Sequence, residues 1–66
     1  MQITVNGQPR QITQITTVAE LVQDLGLAGK PLAVEVNLEL VPRQRHADRP
    51  LADGDRIEIV TLVGGG

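Results

Sequence analysis

Asp53-Gly54-Asp55-Arg56-Ile57-Glu58-Ile59-Val60-Thr61-Leu62 is the stretch on which the fold turns. Asp-Gly-Asp is a tight-turn signal, because Asp side chains bond to nearby backbone and glycine tolerates a positive φ. The residues that follow are rich in Ile and Val, so Arg56 to Leu62 is expected to be a strand. Ile57 and Ile59 are expected to point into a core. Val60, Leu62 and Val63 make the other side apolar as well, and that side needs a cover or a partner. The segment just upstream, Arg43 to Pro50, has mixed charge and no periodicity and reads as a loop or short 3-10 turn. The last strand therefore has no hairpin partner beside it in sequence.

Working outward, Met1 to Val5 alternates, with Met1, Ile3 and Val5 on one side and Gln2 and Thr4 on the other, the period of a half-buried strand. Asn6-Gly7 supplies the positive-φ pair of a type I′ hairpin turn. A second strand is expected to return through Arg10 to Ile15, with Pro9 at its start. Thr17 and Glu20 are spaced as a helix capping box. Val18, Leu21, Val22 and Leu25 then form one apolar stripe, with Glu20, Gln23 and Asp24 on the opposite side. Gly26 suits the left-handed position that ends a helix, and Gly29-Lys30-Pro31 reads as a loop. Leu32 to Asn37 is the next expected strand, Leu38-Glu39 its turn, and Leu40-Val41 a short return that Pro42 ends. The order is β-β-α-β-β-β. One helix with one stripe must lie on one face of a sheet, giving a two-layer α+β domain. Placing the last strand parallel to the first, in the middle of the sheet, buries the most Ile and Val. That is the β-grasp (ubiquitin-like) arrangement, a mixed sheet with one helix packed on one face.

Composition narrows the function. At 66 residues the chain is one domain, expected over residues 1–63, with a glycine tail at 64–66. Six Lys+Arg against eight Asp+Glu leave a formal charge of −2. Nucleic acid is not expected as a partner: phosphate binding needs clustered cations, and base stacking needs aromatic rings, of which there are none. With no Cys, thiol catalysis, zinc–thiolate and iron–sulfur sites are excluded. No apolar run reaches bilayer length and the first residues do not read as a signal peptide, so no membrane association is expected and the expected location is the cytoplasm.

Catalytic constellations are also missing. His46 is the one histidine; it lacks a serine or cysteine to activate and reads as a surface residue with a partly packed ring. Asp53 and Asp55 offer too few oxygens for a calcium loop and read as turn residues. Arg43, Arg45 and Arg49, with His46, form a basic cluster. It reads either as a solvated loop balanced by Asp48 and the acidic side of the helix, or as a docking patch for an acidic protein surface. No metal and no bound cofactor are expected.

Gly64-Gly65-Gly66 stands apart. It reads either as a frayed end or as a chemical handle. A terminal glycine carries an α-carboxylate of pKa about 3.3–3.7, ionised at neutral pH. With no Cβ beside it, such a group can enter a narrow slot in another protein. ATP can activate it there as an acyl-adenylate for attack by sulfur or nitrogen.

These features together resemble the bacterial sulfur carrier proteins of thiamine biosynthesis, the ThiS family. The resemblance covers essentially the whole chain. It is carried by Val36-Asn37 with Leu40-Val41-Pro42-Arg43, by Leu51 to Val60 around Asp53-Gly54-Asp55, and by Val63-Gly64-Gly65-Gly66. It implies that the chain is a protein co-substrate and not an enzyme. An E1-like adenylyltransferase, using ATP and Mg²⁺, would adenylate Gly66. A sulfurtransferase or cysteine desulfurase system would convert the adenylate to a thiocarboxylate. Thiazole synthase would take the sulfur into the thiazole of thiamine. Gly64 and Gly65 would thread the partners' active sites, and Val60, Leu62 and Val63, with Arg43 and Arg45, would form the docking surface. Relatives often carry an aromatic residue in the last strand or near His46, and this chain has none. Three other readings stay open: the small subunit of molybdopterin synthase, which shares the fold and the tail chemistry; a ubiquitin-like modifier whose glycine becomes amide-linked to lysines; and a β-grasp binding module with an incidental tail.

Overall fold

The first hairpin forms around Asn6 and Gly7, whose φ angles of 50° and 80° are the positive pair of a type I′ turn. They join β1 (Gln2–Val5) to β2 (Gln8–Gln11), with Val5 opposite Gln8. The structure, a computed structural model, describes residues 1–62. The expected boundary between domain and tail, and with it Val63, Gly64, Gly65 and Gly66, lies outside the described residues.

The return strand is earlier and shorter than the expected Arg10 to Ile15. A two-residue turn starts pairing at once, and the ladder ends at Gln11 because its partner begins at Gln2. The Met1 ammonium donates to the Ile12 carbonyl at 2.9 Å, and the Ile12 amide donates back to Met1 at 2.8 Å. Ile12 then drops into the core. Pro9 sits within β2, which is tolerated because β2 is an edge strand.

Helix α1 (Val18–Asp24) starts at the expected capping box and buries Val18, Leu21 and Val22. Its stripe continues into the half-buried Leu25, and Gly26 follows at a φ of 76°. A helix this short is not stable alone, so its packing on the sheet sustains it. One Glu20 carboxylate oxygen accepts from the backbone amides of Thr16 and Thr17, each at 3.0 Å, and from both hydroxyls. The Thr16 hydroxyl first, then the Thr16 amide, hold the Glu20 carboxyl below the ordinary glutamate range. The stability this adds is present above the unfolded-state pKa and is lost as pH falls through the lower folded-state value. Glu20→Gln is accordingly expected to lower the urea midpoint at neutral pH. The gap between variant and wild type then closes on acidification; a gap independent of pH would contradict this linkage.

Strand β3 (Leu32–Val36) turns through Asn37 and Leu38, at φ angles of 52° and 72°, into β4 (Glu39–Val41). The turn thus falls one residue before the expected Leu38-Glu39. Asn37 is held there by its side chain, which donates to an Asp55 carboxylate oxygen and accepts from the Arg56 amide, both at 3.0 Å. The shift places Leu38 in the left-handed region, where a branched side chain costs roughly 1–2 kcal/mol. It also sets which side chains stand opposite each other: Val41 lies opposite Val34 in the core, and Leu40 opposite Glu35 on the outside.

A 3-10 helix, Arg43–Asp48, packs beside α1. It curls His46 back so that the Val41 carbonyl accepts from its Nε2 at 3.0 Å. His46 is therefore buried and not on the surface as expected.

The last strand, β5 (Arg56–Thr61), stops one residue short of the expected Leu62. The Leu62 amide still donates to the Pro31 carbonyl at 2.9 Å. As expected, β5 is central and parallel to β1: the five-stranded sheet has the order β2-β1-β5-β3-β4, and β5 runs antiparallel to β3. The parallel ladder covers only Thr4–Arg56 and Val5–Ile57 before β1 turns away. Asn6 extends it with its side chain, accepting from the Ile59 amide at 2.7 Å and donating to the Ile59 carbonyl at 3.1 Å. The core lies between α1 and one sheet face, around Ile3, Leu21, Val34, Val36 and Ile57. Among the described residues no helix is long and apolar enough to cross a membrane.

Candidate functional site: an uncovered sheet face

Burial of Ile57 and Ile59 under α1 forces Arg56, Glu58, Val60 and Leu62 to the opposite face of the sheet. The antiparallel register sets Val60 beside Ala33 and Glu58 beside Glu35; β4 then sets Leu40 beside Glu35. Val60, Leu62 and Leu40 are 59%, 54% and 66% exposed. No element of the described chain covers this face, which makes it the candidate interaction surface. At the β3–β4 turn, Leu38 is 85% exposed in its strained conformation.

Val60 and Leu62 are both exposed on this outer face. Arg43 and Arg45 lie elsewhere, on the 3-10 helix in the layer of α1. The Arg43 guanidinium donates to the Lys30 carbonyl at 2.8 Å, near the end of the sheet where Leu62 emerges. Asp53 accepts from the Gln2 amide at 2.7 Å, and Asp55 from the Ala52 amide at 2.8 Å, so both act as turn residues. Among the described residues no cluster of three or more His, Cys, Asp or Glu could hold a metal. Between α1 and the 3-10 helix lies a cleft of about 220 Å³, touched by Val22, Leu27, Lys30, Arg43 and His46. A more open depression of about 500 Å³ lies beside Gln14, Ile15, Glu20, Gln23 and Asp24. The uncovered outer face of the sheet is the candidate binding surface among the described residues.

Leu40 and the Glu35–Glu58 pair were not singled out in the sequence. The available signal was Asn37, since Asn is the commonest non-glycine residue at positive φ. Placing the turn there sets Leu40 directly opposite Glu35.

Comparison with known proteins is consistent with this arrangement. The profile of the ThiS family matches residues 3–66. A thiazole synthase from Paramagnetospirillum magneticum is 41% identical over 66 residues, which are all of this chain and 20% of that protein. The chain thus spans about a fifth of the length of the curated thiazole synthases it matches. The sulfur carrier protein ThiS from Thermus thermophilus is 39% identical over 61 residues, covering 92% of this chain and 94% of that one. The crystal structure of a thiamine biosynthesis protein (ThiS) from Geobacter metallireducens superposes with a TM-score of 0.84 at 33% identity, each chain covered completely. A profile match over nearly every residue, with full-length structural agreement, places this chain in the ThiS family.

Proposed function

We propose that this chain is a sulfur carrier of thiamine biosynthesis that bears its cargo on the α-carboxyl of Gly66. The observation that carries the reading is its match to a sulfur carrier protein over 94% of that protein's length. In the first step an E1-like adenylyltransferase joins the Gly66 carboxylate to the α-phosphorus of ATP, with Mg²⁺, and pyrophosphate leaves. A persulfide sulfur from a cysteine desulfurase or sulfurtransferase then attacks the acyl carbon and AMP leaves. A thiol reductant then cleaves the acyl disulfide: the Gly66 thiocarboxylate leaves, and the attacking thiol ends in a disulfide with the donor's sulfur. A thiazole synthase takes the sulfur. Relatives that bear the name thiazole synthase and contain a region matching the whole of this chain support that partner.

The chain's share of the work is to be held and presented. The face around Val60 and Leu62 is the grip, and Gly64 and Gly65 are the slender lead to the reacting group. Arg43, which donates to the Lys30 carbonyl, and Arg45, on the same 3-10 helix, add a basic contact for the partner. The reaction chemistry, ATP included, belongs to the partners.

Intact-mass analysis tests the reading. Protein made together with its activating enzyme and a sulfur source is expected to show one oxygen exchanged for sulfur, localised to Gly66 by fragmentation. A mass that stays unchanged under those conditions overturns it.

A further inference from the structure

The outer face is not uniformly apolar. Across β4, β3 and β5, Leu40, Glu35 and Glu58 form one row, and Val60 and Leu62 follow along β5. Glu35 and Glu58 are direct cross-strand partners, an arrangement in which like charges destabilise a sheet. Arg56 shares the face, yet neither glutamate forms an ion pair among the described residues. The sheet thus holds two unneutralised carboxylates side by side within an exposed aliphatic surround.

We propose that this pair receives an arginine from the thiazole synthase-type partner, and that Leu40, Val60 and Leu62 pack against apolar side chains around that arginine. The inference rests on the functional reading above and specifies the chemistry of its docking face. Charge complementarity selects the occupant. A second copy of this chain meeting face to face would bring four carboxylates together. A divalent cation would find too few oxygens on a flat pair of strands. A planar guanidinium can bridge two neighbouring carboxylates with parallel hydrogen bonds, and its weak hydration suits an apolar surround.

The test is calorimetric titration of the chain into its cognate thiazole synthase, at low and high salt. The double variant Glu35→Gln, Glu58→Gln is expected to bind at least about tenfold more weakly than wild type at low salt, with a flatter salt dependence. Its thermal midpoint is expected to equal or exceed that of wild type, because the repulsion is removed. It is also expected to be loaded with sulfur as wild type is, which separates docking from tail chemistry. Equal affinity with an unchanged salt dependence overturns the arginine proposal and leaves the carrier reading intact. A wild-type chain that takes up sulfur but shows no binding to the synthase overturns the choice of partner, and the proposal with it.

Discussion

A chain carrying one additional alanine after Gly66 is expected to fold normally and to yield no thiocarboxylate. Adenylation requires a free α-carboxylate at a position set by the distance from the docked body. One added residue moves that group by about 3.3–3.6 Å and puts a Cβ beside it. A displacement of about 1 Å can cost a hundredfold in rate, so a shift of several ångströms into a slot shaped for glycine abolishes the step. Three measurements read the result: thermal unfolding, intact mass after incubation with the activating enzyme, and growth without thiamine of cells whose sole copy is the extended chain. Unfolding is expected to match wild type, the mass to lack sulfur, and growth to fail. Normal loading of the extended chain would mean that the reacting group is not the Gly66 carboxyl.

Asn6→Ala is expected to be among the most destabilising exposed substitutions in the molecule. Asn6 is exposed by area, yet its amide completes the parallel pairing of β5 through Ile59. The substitution removes two hydrogen bonds of about 0.5–1.5 kcal/mol each and puts alanine in a left-handed conformation that costs about 1 kcal/mol or more. The expected loss is about 2–4 kcal/mol, against a total of roughly 3–10 kcal/mol for a domain this size. At about 4–8 °C per kcal/mol the melting midpoint falls by roughly 10–25 °C. Asn6→Gly separates the contributions: it keeps the turn geometry, loses the same bonds, and is expected to fall between alanine and wild type. A melting point for Asn6→Ala within a few degrees of wild type would show that the side-chain pairing adds little.

The helix, its capping box and its end were legible because their signals are local. Thr17, Glu20 and Gly26 act within a turn of their own position, and the stripe Val18-Leu21-Val22 needs only the helical period. The apolar second side of the last strand was legible too, from Val60 and Leu62 alone. Strand boundaries were less so. Gln8 to Gln11 has no alternation to declare a strand, and only its pairing with β1 makes it one. The β3–β4 turn was misplaced because Leu38 contradicts its own φ preference, and what keeps the turn there is the bond between Asn37 and Asp55, far away in sequence. His46 looked like a surface residue because nothing in its neighbours states that a 3-10 turn returns it to Val41.

By its order of residues alone, this chain determined an α+β fold, a central last strand and an apolar strip left on that strand. Period and turn chemistry are encoded residue by residue. Tertiary structure alone decided that Asn6 and Asn37 tie β5 from both sides, that Arg45 sits in the layer of the helix away from the outer face, and that Glu35 stands opposite Glu58. The tie to β5 and the Glu35–Glu58 pairing are matters of register between strands far apart in sequence, whereas Arg45 is placed by the packing of the 3-10 helix on α1. A slip of one residue in β5 would turn Glu58 to the other face and break the bonds to Asn6 and Asn37, and only the assembled sheet selects one register over the next.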